Sequence, residues 1–280
     1  MEWFLDPFAL GFQQRALAGG ILAGLMTAVV GTWLVLRGMS FFGDAFVHGI
    51  VPGIAAAVVF DINPLLGAAA AALVMVLAIE LVNRQTVLSE DTSIGLLFVG
   101  MLALGVIIIP RLDSYSGSLT TILFGDALGV TTQDLITQGI LAVVVISSTS
   151  LFYRPLLALS FNADKAQLWG LNPGRAHIAL LILIAAAVIG SFQSVGTLLV
   201  FGLLVGPPAT AALVSRTVPR MMFTAAFIAV FSVWIGLTLS YHLNTAGSAT
   251  MAIVPVVLFF IVLTVTRLRA VRNKKVAARV

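Results

Sequence analysis

Long apolar runs separated by short polar stretches recur along the whole chain, at residues 16–36, 39–60, 64–82, 94–110, 135–152, 176–192, 196–214, 221–241 and 249–266. A hydrocarbon core about 30 Å thick takes roughly twenty helical residues. The pattern therefore predicts about nine hydrophobic segments, eight or nine of them full crossings. Lipid offers backbone groups no partners, so each crossing must be a helix and the fold an all-α polytopic membrane bundle. The segment 196–214 fits least well. Gly196, Gly202, Gly206, Pro207 and Pro208 make it a poor continuous helix, expected to be broken or only partly inserted.

The polar connections set an expected orientation. The tail 267–280 carries Arg267, Arg269, Arg272, Lys274, Lys275 and Arg279 and is placed in the cytoplasm by the positive-inside rule. Counting back through nine crossings puts Arg37, Arg84, Arg154, Lys165, Arg175, Arg216 and Arg220 on the same side, leaving only Arg15 and Arg111 outside. The N-terminus then lies outside. Residues 1–15, acidic and aromatic, read as an interfacial external segment without the basic start of a cleaved signal peptide; 16–266 is the transmembrane domain. A short helix is expected around 119–124 in the external loop 111–134. The longest inner connection, 153–175, contains a second helix-like piece, with Asn162 as N-cap, Asp164, Gln167, Leu168 and Trp169 within it, and Gly170 with Asn172 and Pro173 as its stop. Such a helix either packs on its own protein or serves as a docking element.

Composition sharpens this picture without changing it. The mean hydropathy is +1.11 and 60% of residues are hydrophobic, which excludes an ordinary soluble domain. The basic balance, with pI near 10.0, comes from residues at segment ends, so it signals membrane orientation and no nucleic-acid partner. The absence of cysteine excludes disulfides, thiolate metal sites and thiol catalysis. No Gly-x-x-x-x-Gly-Lys-Ser/Thr and no His-Glu-x-x-His occurs, so the chain carries neither a P-loop nor the commonest zinc-protease signature. It is not expected to be an enzyme.

The chemistry concentrates at Asp44 and His48, four residues apart in an apolar span. On a helix they share a face, about 10 Å and 16 Å above an inner edge at Arg37. One reading is a pair of divalent-metal ligands; the other is a carboxylate bonded to a neighbouring helix beside a satisfied core histidine. Ionisable groups within a span are costly, and Gly43, Gly49, Pro52 and Gly53 around the pair favour the functional reading. Pro52 also withdraws the N–H that a carbonyl about a turn below would otherwise receive. Glu80 reads as a side chain reaching the interface, and Ser89, Asp91 and Thr92 as helix-cap candidates. Gln193, His242 and Asn244 sit at external helix ends, where they either line a mouth or are simply solvated.

These stretches carry a resemblance. The run 36–53, Leu-Arg-Gly-Met-Ser-Phe-Phe-Gly-Asp-Ala-Phe-Val-His-Gly-Ile-Val-Pro-Gly, resembles the signature of the ABC-3 permeases, membrane subunits of bacterial zinc, manganese and iron ABC importers. Residues 90–98, 187–212 and 239–244 are similar to the same family in the same order. Gly38, where a second basic residue is common, and the doubled Pro207 and Pro208 depart from it. The resemblance implies a type II importer: two permease copies around a pathway, two cytoplasmic ATPase subunits and an external metal-binding protein. It makes Asp44 and His48 the pathway ligands, and Asn162, Asp164, Gln167, Leu168, Trp169 and Gly170 the coupling helix. No permanent cofactor is implied, only a transported divalent ion. Zinc is the first expectation and manganese the second, since oxygen and imidazole donors suit both. The competing readings are a type II permease for a metal chelate and an ion-gradient-driven secondary transporter.

Overall fold

The computed structural model describes residues 6–86, 89–108, 129–161, 167–168 and 170–277. A short 3-10 helix, Asp6–Ala9, leads into α1 (Gly11–Leu36). There follow α2 (Ser40–Gly49), α3 (Val51–Val59), α4 (Pro64–Gln85), α5 (Glu90–Ile108), α6 (Thr132–Leu151), α7 (Tyr153–Phe161), α8 (Pro173–Ala212), α9 (Val218–Leu243) and α10 (Gly247–Ala277). Eight stretches among the described residues are long and apolar enough to cross a membrane, α2 and α3 together forming one of them. The all-helical expectation holds. The external helix expected around 119–124 lies outside the described residues.

Helix ends follow local chemistry. Asn63 accepts from the Leu65 amide ahead of Pro64, and Thr131 with Asp134 forms a reciprocal capping box at α6. Ser89 caps α5 by accepting from the Thr92 amide at 3.3 Å. Two boundaries differ from expectation. α1 begins at Gly11, so the polar N-terminal segment is shorter than fifteen residues, and Arg15 is helical, its Nε donating to the Val130 carbonyl at 2.9 Å. The inner connection holds a helix the apolar pattern missed: α7 buries Leu156 and Leu159, and Tyr153 meets the fully buried Trp33 ring edge-on at 5.5 Å.

The core forms around α1, which packs on α8, α9 and α6. Small residues allow these close approaches, as membrane helix packing requires. Gly20 lies on Val233 and Gly24 on Ala229, so α9 runs antiparallel to α1; Gly236 lies on Met251, and α10 returns beside α9. Leu66, Leu73, Leu77, Leu96, Val106, Ile140 and Val143 are exposed on α4, α5 and α6, the surface a helix shows to lipid.

The doubtful segment 196–214 resolves into a hairpin. His177 near the start of α8 meets Arg37 at the end of α1, and Gly190 lies on Met26, so the first arm of α8 climbs antiparallel to α1. Beyond Gly196 the direction reverses: Gly202 lies on Ala252 and Gly206 on Pro255, alongside the descending α10. Gly196 has φ 75° and ψ 165°, a conformation open essentially to glycine alone, which explains a turn just after the polar Gln193 and Ser194 that separate the two apolar runs. The returning arm, Leu199–Ala212, is about 20 Å long at 1.5 Å per residue, too short for a complete crossing. Among the described residues the bundle therefore holds eight helices of spanning length and one shorter returning arm.

Candidate metal pathway

The site begins with the turn after α1. The Gly38 amide donates to Val35 and the Met39 amide to Leu34, both at 3.1 Å, with Gly38 at φ 70°. This is a Schellman motif, and its left-handed position favours glycine where a second basic residue would be strained. The turn delays the next helix until Ser40. Asp44 and His48 therefore lie about 6 Å and 12 Å above the start of α2, shallower than a continuous helix from Arg37 would place them.

Asp44 and His48 do share a face. Asp44 Oδ1 and His48 Nε2 are 3.6 Å apart, and each side chain is about a third exposed in the single chain (35% and 31%). That separation is long for a hydrogen bond. It suits two ligands of one ion: donors about 2.1 Å from a metal and 3.6 Å from each other subtend about 118°, near tetrahedral. An octahedral ion needs the donors roughly half an ångström closer, a small rotamer adjustment. The geometry therefore accepts a divalent cation without selecting between coordination types. Behind His48, Pro52 begins the next helix and cannot donate to the His48 carbonyl four residues back.

The walls are apolar. Phe98 on α5 meets His48 edge-on, ring centroids 6.1 Å apart, and also contacts Phe41. Gly43 packs on Phe201 and Leu204 of the returning arm, and Gly49 on Met75 of α4. The site helix α2 is thus packed between α5 and the short arm of α8, with the His48 ring facing α5. Among the described residues no group of three His, Cys, Asp or Glu converges, so one chain supplies two side-chain donors here.

The other sequence-predicted positions stand apart from this pair. Asn244 adopts a left-handed conformation (φ 51°, ψ 44°) as the cap ending α9, which gives it a structural task, and the His242 ring packs edge-on against Tyr241 at 5.2 Å. The Gln193 side chain lies outside the described residues. Of the expected coupling helix, Asn162, Asp164 and Trp169 lie outside them as well. Gln167 and Leu168 are helical, Gly170 closes a turn onto the Gln167 carbonyl at 3.0 Å, and Leu168 is 84% exposed. Asn172 and Pro173 open α8, the Asn172 side chain accepting from the Arg175 amide, so they start the next helix instead of merely ending the loop.

One contact had no sequence signal. Arg37 Nη1 lies 2.6 Å from His177 Nδ1, across 140 residues. Arginine only donates, so this imidazole nitrogen accepts, and the bond ties the end of α1, just before the site helix, to the start of α8. Nothing in the local sequence around His177 distinguishes it from a lone core histidine.

A bundle of this many apolar helices, carrying a partly exposed ionisable pair on one span, is a membrane-spanning protein with a candidate functional site. Residues 9–266 match the ABC 3 transport family, and the chain belongs to that family: it is the permease component of an ABC transporter. Among its relatives is the manganese transport system membrane protein MntC of Listeria innocua, 37% identical over 90% of this chain and 89% of that protein. Another is the chelated iron transport system membrane protein YfeD of Yersinia pestis, 29% identical over 97% of this chain and 91% of that one. The solved structure of PsaBC from Streptococcus pneumoniae in complex with Fab superimposes with a TM-score of 0.83 at 29% identity, covering 92% of this chain and 94% of that chain.

Proposed function

We propose that two copies of this chain form the pathway of an ATP-driven bacterial importer for a divalent transition metal, with Asp44 and His48 as its transient ligands. The observation that carries this reading is the 3.6 Å pair itself. It is two donors short of a tetrahedral shell, and its exposed face would otherwise meet lipid, where an ionisable group is costly. A second copy related by a two-fold axis covers that face and brings the other two donors. Four donors without a thiolate hold an ion long enough to pass it on.

The named relatives span manganese and chelated iron, which moves manganese ahead of the zinc that the donor types suggested first. The test is uptake of radiolabelled manganese and zinc by proteoliposomes carrying the permease, its ATPase subunit and its external binding protein, each metal challenged with an excess of the other. Manganese uptake that needs ATP hydrolysis and resists zinc supports the reading; the reverse moves the substrate to zinc. Uptake without the ATPase would identify a secondary transporter, and uptake of chelated iron alone a chelate permease.

The basic face of the bundle, with Arg37, Arg175, Arg216 and Arg220, is then cytoplasmic, and Leu168 on that face meets the ATPase subunit. Leu168→Asp is expected to leave ATP hydrolysis within about twofold of wild type while uptake falls at least about tenfold, because an aspartate cannot fill an apolar socket. Unchanged coupling in that variant would place the docking surface elsewhere.

A further inference from the structure

A second polar feature lies at the basic face, away from the metal pair. Val214, Ser215, Arg216, Arg220, Phe223 and Thr224 line a cleft of about 550 Å³ where the short arm of α8 gives way to α9. Arg216 and Arg220 are both exposed, and the lining contains no carboxylate. Nor does the neighbouring sequence offer one: Asp164 is the last acidic residue of the chain, while ten of the fifteen Lys and Arg follow it. Arg216, just before α9, and Arg220, in its first turn, line one cleft without a carboxylate in its lining, so the local positive charge favours an anion from outside the chain.

The surroundings indicate which anion. Ser215 and Thr224 hydroxyls are hydrogen-bonded to each other at 3.4 Å beside the arginines, and Thr217 gives α9 no side-chain cap, leaving first-turn amides for an acceptor oxygen. One turn along α9, Phe223 is 81% exposed, and Phe227 and Phe231 continue the same face as a stacked pair. A cationic cleft opening onto an apolar stripe that rises into the membrane matches an amphiphile, with phosphate below and acyl chain above. An acidic protein segment would leave the stripe uncovered, and free phosphate would leave it unused. We infer that this cleft binds the headgroup of an anionic glycerophospholipid, with its acyl chain lying along Phe223, Phe227 and Phe231.

The full chain in nanodiscs of equal phosphatidylglycerol and phosphatidylcholine tests this by native mass spectrometry of retained lipid. Wild type is expected to retain phosphatidylglycerol preferentially. Arg216→Gln and Arg220→Gln should each lower that preference roughly fivefold, from the attraction of one basic residue for an anionic surface. The Arg216→Lys/Arg220→Lys variant, which keeps the charge, should retain most of it, and phosphatidylcholine retention in every variant reports on folding. Equal retention of both lipids by wild type, or an unchanged preference in the double glutamine variant, overturns the inference. Displacement of phosphatidylglycerol by millimolar inorganic phosphate, with no effect of Phe223→Ala, would make this a site for free phosphate instead. Loss of ATPase co-purification in the double glutamine variant with lipid preference intact would assign the cleft to that protein.

Discussion

Asp44→Ala and His48→Ala should each reduce metal-dependent uptake at sub-saturating metal by at least about tenfold, the scale on which metal sites respond even to loss of a supporting partner. Asp44 supplies charge as well as a donor, so Asp44→Asn, which keeps the shape, should fall with Ala. Losing either residue in a two-fold site removes two of four donors at once. The double variant is therefore expected to be little worse than either single one, the non-additivity of groups that act together. Membrane abundance and co-purification of the ATPase subunit should stay normal, since neither side chain is in the core. Uptake within about twofold of wild type in both single variants, at equal abundance, would remove the pair from the pathway.

Gly31→Val should destabilise the bundle more than any substitution at the metal pair. Gly31 on α1 faces the backbone carbonyl of Leu204 on the returning arm, and a Cβ there would overlap that oxygen. Pro208, four residues on, has no N–H to give this carbonyl, and its ring also lies against Gly31. A flexible side chain could yield; a carbonyl cannot. Overpacking of a close-packed interior costs typically about 1–3 kcal/mol, and a backbone neighbour puts this case at or above the upper end. Thermal unfolding of the purified protein should show a lowered midpoint for Gly31→Ala and a larger drop, or failure to accumulate, for Gly31→Val. Uptake should fall with it, because the same arm presents Phe201 and Leu204 to Gly43, next to Asp44. An unchanged midpoint in Gly31→Val would mean that α1 and the returning arm do not meet.

The local elements were largely legible. Apolar runs of spanning length predicted the long helices to within a few residues at most ends, because burial in lipid forces helix wherever such a run occurs. Caps at Ser89 and Gly170 followed from residue type. The short α7 was missed because its segment is too short and too polar to read as a span, and its anchor, Tyr153 on Trp33, is a contact between distant parts of the chain. Asn244, read from sequence as either a mouth residue or a solvated helix end, takes the left-handed cap of α9, a role its residue type alone did not single out.

By itself the sequence determined what depends on transfer from water and on one helical turn: a many-pass all-helical membrane chain, a basic face, and a carboxylate and an imidazole on one face of one span. The structure fixed how far apart those two donors sit, 3.6 Å, with the His48 ring packed edge-on against Phe98 of a distant helix. It also decided that the chain reverses at Gly196, and that Arg37 meets His177. Those facts rest on contacts between segments far apart in the chain, which no local pattern of hydropathy encodes. The break between the runs 176–192 and 196–214 was legible in the sequence; the structure adds the pivot, Gly196 at φ 75° and ψ 165°, and a returning arm too short for a complete crossing.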